Sequence, residues 1–161
     1  MAQSDPALVL NLLDREAIRD LIQETAGLLD NENFDGWLEL FAAQSEYEIT
    51  AYSSEIKVSM SWWKSTREEL GKMLDEIPQH VRDVGHRIHL VVPVSVSIAS
   101  AKASARSQFA VLRTDREGYS NVYAAGRYED ELIKERDHWR YAVHRAVLDT
   151  RVLELGTHLP L

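Results

Sequence analysis

The segment HRIHLVVPVSVSIAS, residues 86–100, alternates apolar and polar side chains for longer than any other part of the chain. Its even positions Ile88, Leu90, Val92, Val94, Val96 and Ile98 are all apolar, and its odd positions are mostly Arg, His, Pro, Ser and Ala. A period of two puts successive side chains on opposite faces of a strand, so the even face is expected to be buried. Three more runs follow, Ala103–Thr114, Tyr119–Ile133 and His138–Thr150, separated by the turn formers DREG and the charged KERD. Residues 86–149 therefore predict a meander of long antiparallel strands.

The residues before it read as helices around a strand pair. Residues 1–12 are expected as a flexible arm, with a helix starting near Asp14 as N-cap and Glu16 favourably placed in its first turn. Ala17, Ile18, Leu21, Ile22, Thr25, Leu28 and Leu29 follow the three-and-four spacing of one buried stripe. After DNENFDG, a shorter helix over 34–42 presents Trp37, Leu38 and Phe41 to the same core. YEITAY and SSEIKVSM then pair as a hairpin. Thr66 and Glu69 have capping-box spacing at the start of a third helix, and Pro78 ends it. Helices grouped ahead of strands predict an α+β layout, a curved, mostly antiparallel sheet with three helices of the N-terminal half on its concave face.

The bulk properties narrow the partners. A chain of 161 residues without linker or repeat is expected to be a single domain over residues 1–161. A net charge of −8 disfavours a nucleic-acid backbone or an anionic membrane surface. No apolar run approaches the roughly 20 residues needed to span a bilayer. The N-terminus lacks the basic region of a secretory signal, and a cytoplasmic location is expected. The chain has no cysteine, which excludes disulfides, thiol nucleophiles and thiolate-held clusters.

Candidate chemistry is sparse. His80, His86 and His89 invite a metal reading, but His86 and His89 would point to opposite faces of a strand, and solvated or interfacial imidazoles are favoured. Asp30, Asp35, Tyr47, Tyr52, His86 and His144 could line the mouth of a cone and supply a carboxylate and an imidazole for proton transfer. Against that, acids in a helix connection commonly serve turns. The run GRYEDELIKERDHWRYAVHRAVLDTR reads as a charged ladder, with Arg127, Glu129 and Glu131 on one face and Arg140, His144, Asp149 and Arg151 on the next strand. Its arginines, with Trp62, Trp63, Trp139, Tyr128 and Tyr141, suit a docking surface. Alternation at Trp62–Trp63 would leave one indole outside the core. The apolar tail Leu159–Pro160–Leu161 is expected either to tuck against its own sheet or to meet another subunit.

Several strings taken together suggest a family. LLDREAIRDLI…TAGLLDNENFDGWLELF, FAVLRT, AAGRYEDELIKE…HWRYAVHRAVLDTR and GTHLPL resemble the small (beta) subunit of aromatic-ring-hydroxylating dioxygenases of the Rieske non-haem-iron class. The resemblance covers nearly the whole chain and implies a nuclear transport factor 2-like cone. It also implies a large alpha subunit as partner, usually in an α3β3 hexamer. That subunit carries the Rieske 2Fe-2S cluster and the mononuclear non-haem iron, and ferredoxin or reductase components bring electrons from NADH. The beta chain is then mainly structural, influencing substrate preference in some members. No catalytic, cofactor-binding or metal-ligating residue is implied here. The expected contacts with the partner are Trp62, Trp63, Arg127, Arg145, Arg151, His158 and Leu159.

The leading expectation is thus a non-catalytic oxygenase subunit for an aromatic compound, such as an aromatic carboxylate. The alternatives are a stand-alone cone-fold isomerase, dehydratase or hydrolase using an Asp/His pair, and a homo-oligomeric binding module with a small-molecule pocket.

Overall fold

A computed structural model describes residues 5–79, 83–153 and 159–161. In chain order they form α1 (Pro6–Asp30), α2 (Phe34–Glu39), β1 (Phe41–Ser53), β2 (Val58–Thr66), α3 (Arg67–Glu76), a 3-10 turn at Ile77–Gln79, and then β3 (His86–Ala99), β4 (Lys102–Thr114), β5 (Ser120–Glu135) and β6 (His138–Leu148). The strands make one sheet in the order β2-β1-β6-β5-β4-β3, antiparallel except where β1 runs parallel to β6. The sheet curves around one apolar core and the helices pack on its inner face, the α+β cone layout expected. No helix among the described residues is long and apolar enough to cross a membrane.

The helix boundaries follow their caps. α1 begins well before Asp14, which corrects the expected flexible arm: residues 6–12 are helical, and residues 1–4 lie outside the described residues. Asp5 caps it, its carboxylate accepting from the Ala7 N–H at 3.0 Å, and Pro6 sits where a proline is tolerated best. Asp14 has a different task. Its Oδ1 accepts from Lys134 Nζ at 2.7 Å and Trp139 Nε1 at 3.0 Å, pinning α1 to the β5–β6 hairpin. The buried stripe of α1 runs through Ile18, Leu21, Ile22, Thr25, Ala26 and Leu29, as the spacing predicts. α2 is shorter than expected, so Phe41 opens β1 instead of ending a helix. The capping box at Thr66 and Glu69 is present.

Over the first half of β3 the buried face is the reverse of the expectation. Ile88, Leu90, Val92 and Val94 are 41–60% exposed, whereas Arg87 and His89 are buried. The polar inward residues are matched: Arg87 lies 4.3 Å from the Tyr123 ring centroid, and His89 bonds Asp30 at the end of α1. The register with β4 then shifts between Pro93 and Ser95, so that Val94 is an extra residue. The bulge turns Val96 and Ile98 back toward the core.

Candidate functional site

The centre of the cone is an aromatic box around one imidazole. His144 on β6 pairs in register with Asp130 on β5, and its Nδ1 lies 2.7 Å from Asp130 Oδ1. The rings of Tyr141, Tyr128, Tyr47, Phe41 and Trp37 surround His144 at centroid distances of 4.6–6.4 Å. Burial pushes the Asp130 carboxyl above its ordinary value, although His144 opposes the shift. The Tyr128 and Tyr141 hydroxyls are raised well up for the same reason and stay neutral. His144 Nε2, the nitrogen a general base would use, is buried without a hydrogen-bond partner among the described residues. The pair has the right groups for proton transfer. Both side chains are only 1% exposed, and that bars a substrate from them in this closed form.

The mouth of the cone holds a second Asp–His pair. Asp30 Oδ1 accepts from the His89 backbone N–H at 2.8 Å and lies 2.6 Å from its Nδ1. The hollow beside them is about 30 Å³ and is walled by Leu29, Phe34, His86, Leu159 and Pro160 among others. His86 and His89 do face opposite sides of their strand, the first exposed and the second buried. The acid–base grouping drawn from the sequence is therefore regrouped: Asp30 meets His89 instead of His86, and His144 meets Asp130. Asp35 is exposed in the first turn of α2, Tyr52 is 51% exposed, and Tyr47 is fully buried. His80 lies outside the described residues. Asp130 escaped the sequence reading, although a lone acid between Tyr128 and Leu132 on an otherwise apolar face was its signal.

The expected contact residues divide between the mouth and the outer surface. Trp62 and Trp63 both reach the cleft at the mouth, and one indole stays outside the core as expected: Trp63 packs on the core and Trp62 does not. Ile49 pairs with Trp63 and Thr50 with Ser61, so Trp62 is a bulge residue. Trp63 packs edge-on against Tyr47 at 5.3 Å, and Trp62 remains 39% exposed. Leu159 is turned inward at 7% exposure and His158 lies outside the described residues. Arg127 pairs with Glu129 at 2.8 Å, Arg145 with Glu48 across strands at 2.8 Å, and Arg151 with Glu55 at 2.7 Å. The Arg145 guanidinium holds the Glu48 carboxyl below its ordinary value. Arg140 and His144 do not share a face, because an extra residue, Ala142, interrupts β6. Next to this ladder, Ile88, Leu90 and Val92 adjoin Leu112 and the 61% exposed Val122 in a bare apolar strip.

A sealed aromatic cone with a charged and apolar outer face defines the class, and a family model for the SnoaL-like domain matches residues 11–145. A 2-aminobenzenesulfonate 2,3-dioxygenase subunit beta from an Alcaligenes species is 30% identical over 92% of this chain and 100% of its own length. A methanesulfonate monooxygenase hydroxylase subunit beta from Methylosulfonomonas methylovora is 28% identical over 98% of this chain and 91% of its own. Among solved structures, one described as the beta subunit of an aromatic-ring-hydroxylating dioxygenase from Novosphingobium aromaticivorans shares the fold at a TM-score of 0.83 and 18% identity. The match covers 94% of this chain and 99% of that one. The chain belongs to the SnoaL-like domain family, in its branch of ring-hydroxylating dioxygenase beta subunits.

Proposed function

We propose that this chain is the small, non-catalytic subunit of a multicomponent dioxygenase that dihydroxylates an aromatic acid with O2 and electrons from NADH. The observation that carries the reading is the end-to-end match to a dioxygenase beta subunit at 30% identity. A Rieske cluster needs two cysteines and two histidines. With no cysteine in the chain, its side chains do not fit a Rieske cluster. The bond-making is assigned to a large partner subunit, in an α3β3 hexamer fed by ferredoxin or reductase in the cytoplasm. The competing reading as a stand-alone Asp/His enzyme is weakened by the depth of both imidazoles, each with its side chain 1% exposed.

The surface offered to a partner is the outer face of the sheet. Ile88, Leu90, Val92 and Val94 supply apolar contact at the edge, and Arg127 and Arg145 supply orientation beside it. Co-expression with the large subunit is expected to give one stable hetero-oligomer by light scattering on a sizing column. A chain that elutes alone from such a mixture overturns the proposal.

A further inference from the structure

α1 runs antiparallel along β3, the outermost strand, and its side chains bond the strand's edge. Asp30 Oδ1 accepts from the His89 N–H at 2.8 Å, Gln23 Nε2 donates to the Val91 carbonyl oxygen at 3.1 Å, and Arg15 Nη1 donates to the Val96 carbonyl oxygen at 2.5 Å. The spans agree: Asp30 to Arg15 is about 22 Å of helix, and His89 to Val96 is about 23 Å of strand. Pro6 lies about 14 Å beyond Arg15, whereas β3 ends at Ala99, about 10 Å beyond Val96. The first turns of α1 therefore reach past the sheet. They carry Leu8, Val9, Leu10, Leu12 and Leu13, each 40–63% exposed, and no charged residue between Pro6 and Leu13. A helix apolar on most of its sides is one that another surface covers.

At the same pole, on the outer face of the sheet, lies a shallow groove of about 390 Å³. Two rows in register across three strands line it, Ser97–Ser104–Glu131 and Ala99–Lys102–Ile133. We propose that Leu8 and Leu12 of one copy of this chain dock in this groove of a second copy. The spacing fits: the rows are about 7 Å apart along the strands, and Leu8 is about 6 Å from Leu12 along the helix. A dry space of about 150 Å³ accepts one benzene ring, so the groove has room for both leucine ends. With Leu12 over the serine row and Leu8 over the Ala99 row, the start of the helix falls beside Lys102. Lys102 has no ion-pair partner among the described residues. Asp5, whose carboxylate caps Ala7 and has further lone pairs, supplies one. Helix and groove are different patches of one chain, so the contact repeats from copy to copy and a closed ring satisfies every one.

The test exploits a chain without cysteine. Leu12→Cys and Ser104→Cys are made as separate full-length variants at exposed positions, co-expressed, and purified with the large subunit if it accompanies them. After oxidation with copper phenanthroline, a non-reducing gel is expected to show at least fivefold more linked pair, at twice the chain mass, than either variant gives alone. Leu12→Cys co-expressed with Tyr119→Cys, exposed at the opposite pole, is expected to stay at the level of the single variants. A mixture that links no better than its components overturns the proposal. So does equal linkage through Tyr119→Cys, which reports random collision, or full linkage by Leu12→Cys alone, which reports helix against helix. Linkage reads copy against copy, so it succeeds or fails separately from assembly with a large subunit.

Discussion

At Gly126 a single added carbon meets the neighbouring strand. A Cβ there would lie 2.2 Å from the Val147 carbonyl oxygen and 3.0 Å from Leu148 Cα, so backbone has to move. Gly126→Ala is expected to cost about 1–3 kcal/mol, read as a fall in Tm of roughly 2–10 °C. Asp83 gives the chain an acid-sensitive latch. Two hydrogen bonds of 2.6 Å from Arg113 hold its carboxyl down to about 2, from an ordinary 3.8, against a raising effect of burial. A depressed carboxyl contributes stability above its unfolded value and loses it as pH falls through the folded one. Denaturant unfolding is therefore expected to show the unsubstituted chain losing on the order of 2 kcal/mol more than Asp83→Asn between pH 4 and pH 2. The pairing of Asp130 with His144 was only half legible in the sequence. The acid stood out on an apolar face, but which histidine it met depended on the register of β5 against β6 and on the extra residue Ala142. His144→Ala, which strands a buried carboxyl, is expected to destabilise by about 3–5 kcal/mol in urea.

Elements were easier to read than the faces they present. Strand periodicity located β3 through β6, and the Thr66–Glu69 box located α3, because local side-chain chemistry suffices for both. Alternation points to the wrong buried face over the first half of β3 and to the right one at Val96 and Ile98. Alternation reports two faces without saying which one the helices cover, and here α1 covers the side bearing Arg87 and His89, whose partners Asp30 and Tyr123 come from distant parts of the chain. Bulges at Val94 and Trp62 then switch faces partway along a strand, and neither carries a local residue signal that an alternation count detects. The start of α1 was legible after all in Asp5–Pro6. The bare strip on β3 makes its own prediction. Leu90→Asp with Val92→Asp, both at solvent-facing positions, is expected to leave the circular dichroism and Tm of the isolated chain nearly unchanged. The same pair is expected to weaken assembly with the large subunit at least tenfold by light scattering across a dilution series.

The whole molecule is a cone whose interior polar groups face one another and whose outer face is free for a partner. Asp130 and His144 lie beneath Tyr47, Trp37 and Tyr141, and Tyr47 holds the residues that close the mouth. The cone architecture follows from the order of helices and strands, whereas the closure depends on three residues that could equally have met a neighbour. If bond-making belongs to the large subunit, the buried pair serves the fold alone. The decisive measurement is kcat per iron of the assembled oxygenase carrying Asp130→Asn with His144→Gln, amides that can still hydrogen-bond each other. The account predicts a value within twofold of the unsubstituted complex at equal mass and iron content. A fall of a hundredfold or more, with mass and iron unchanged, contradicts it.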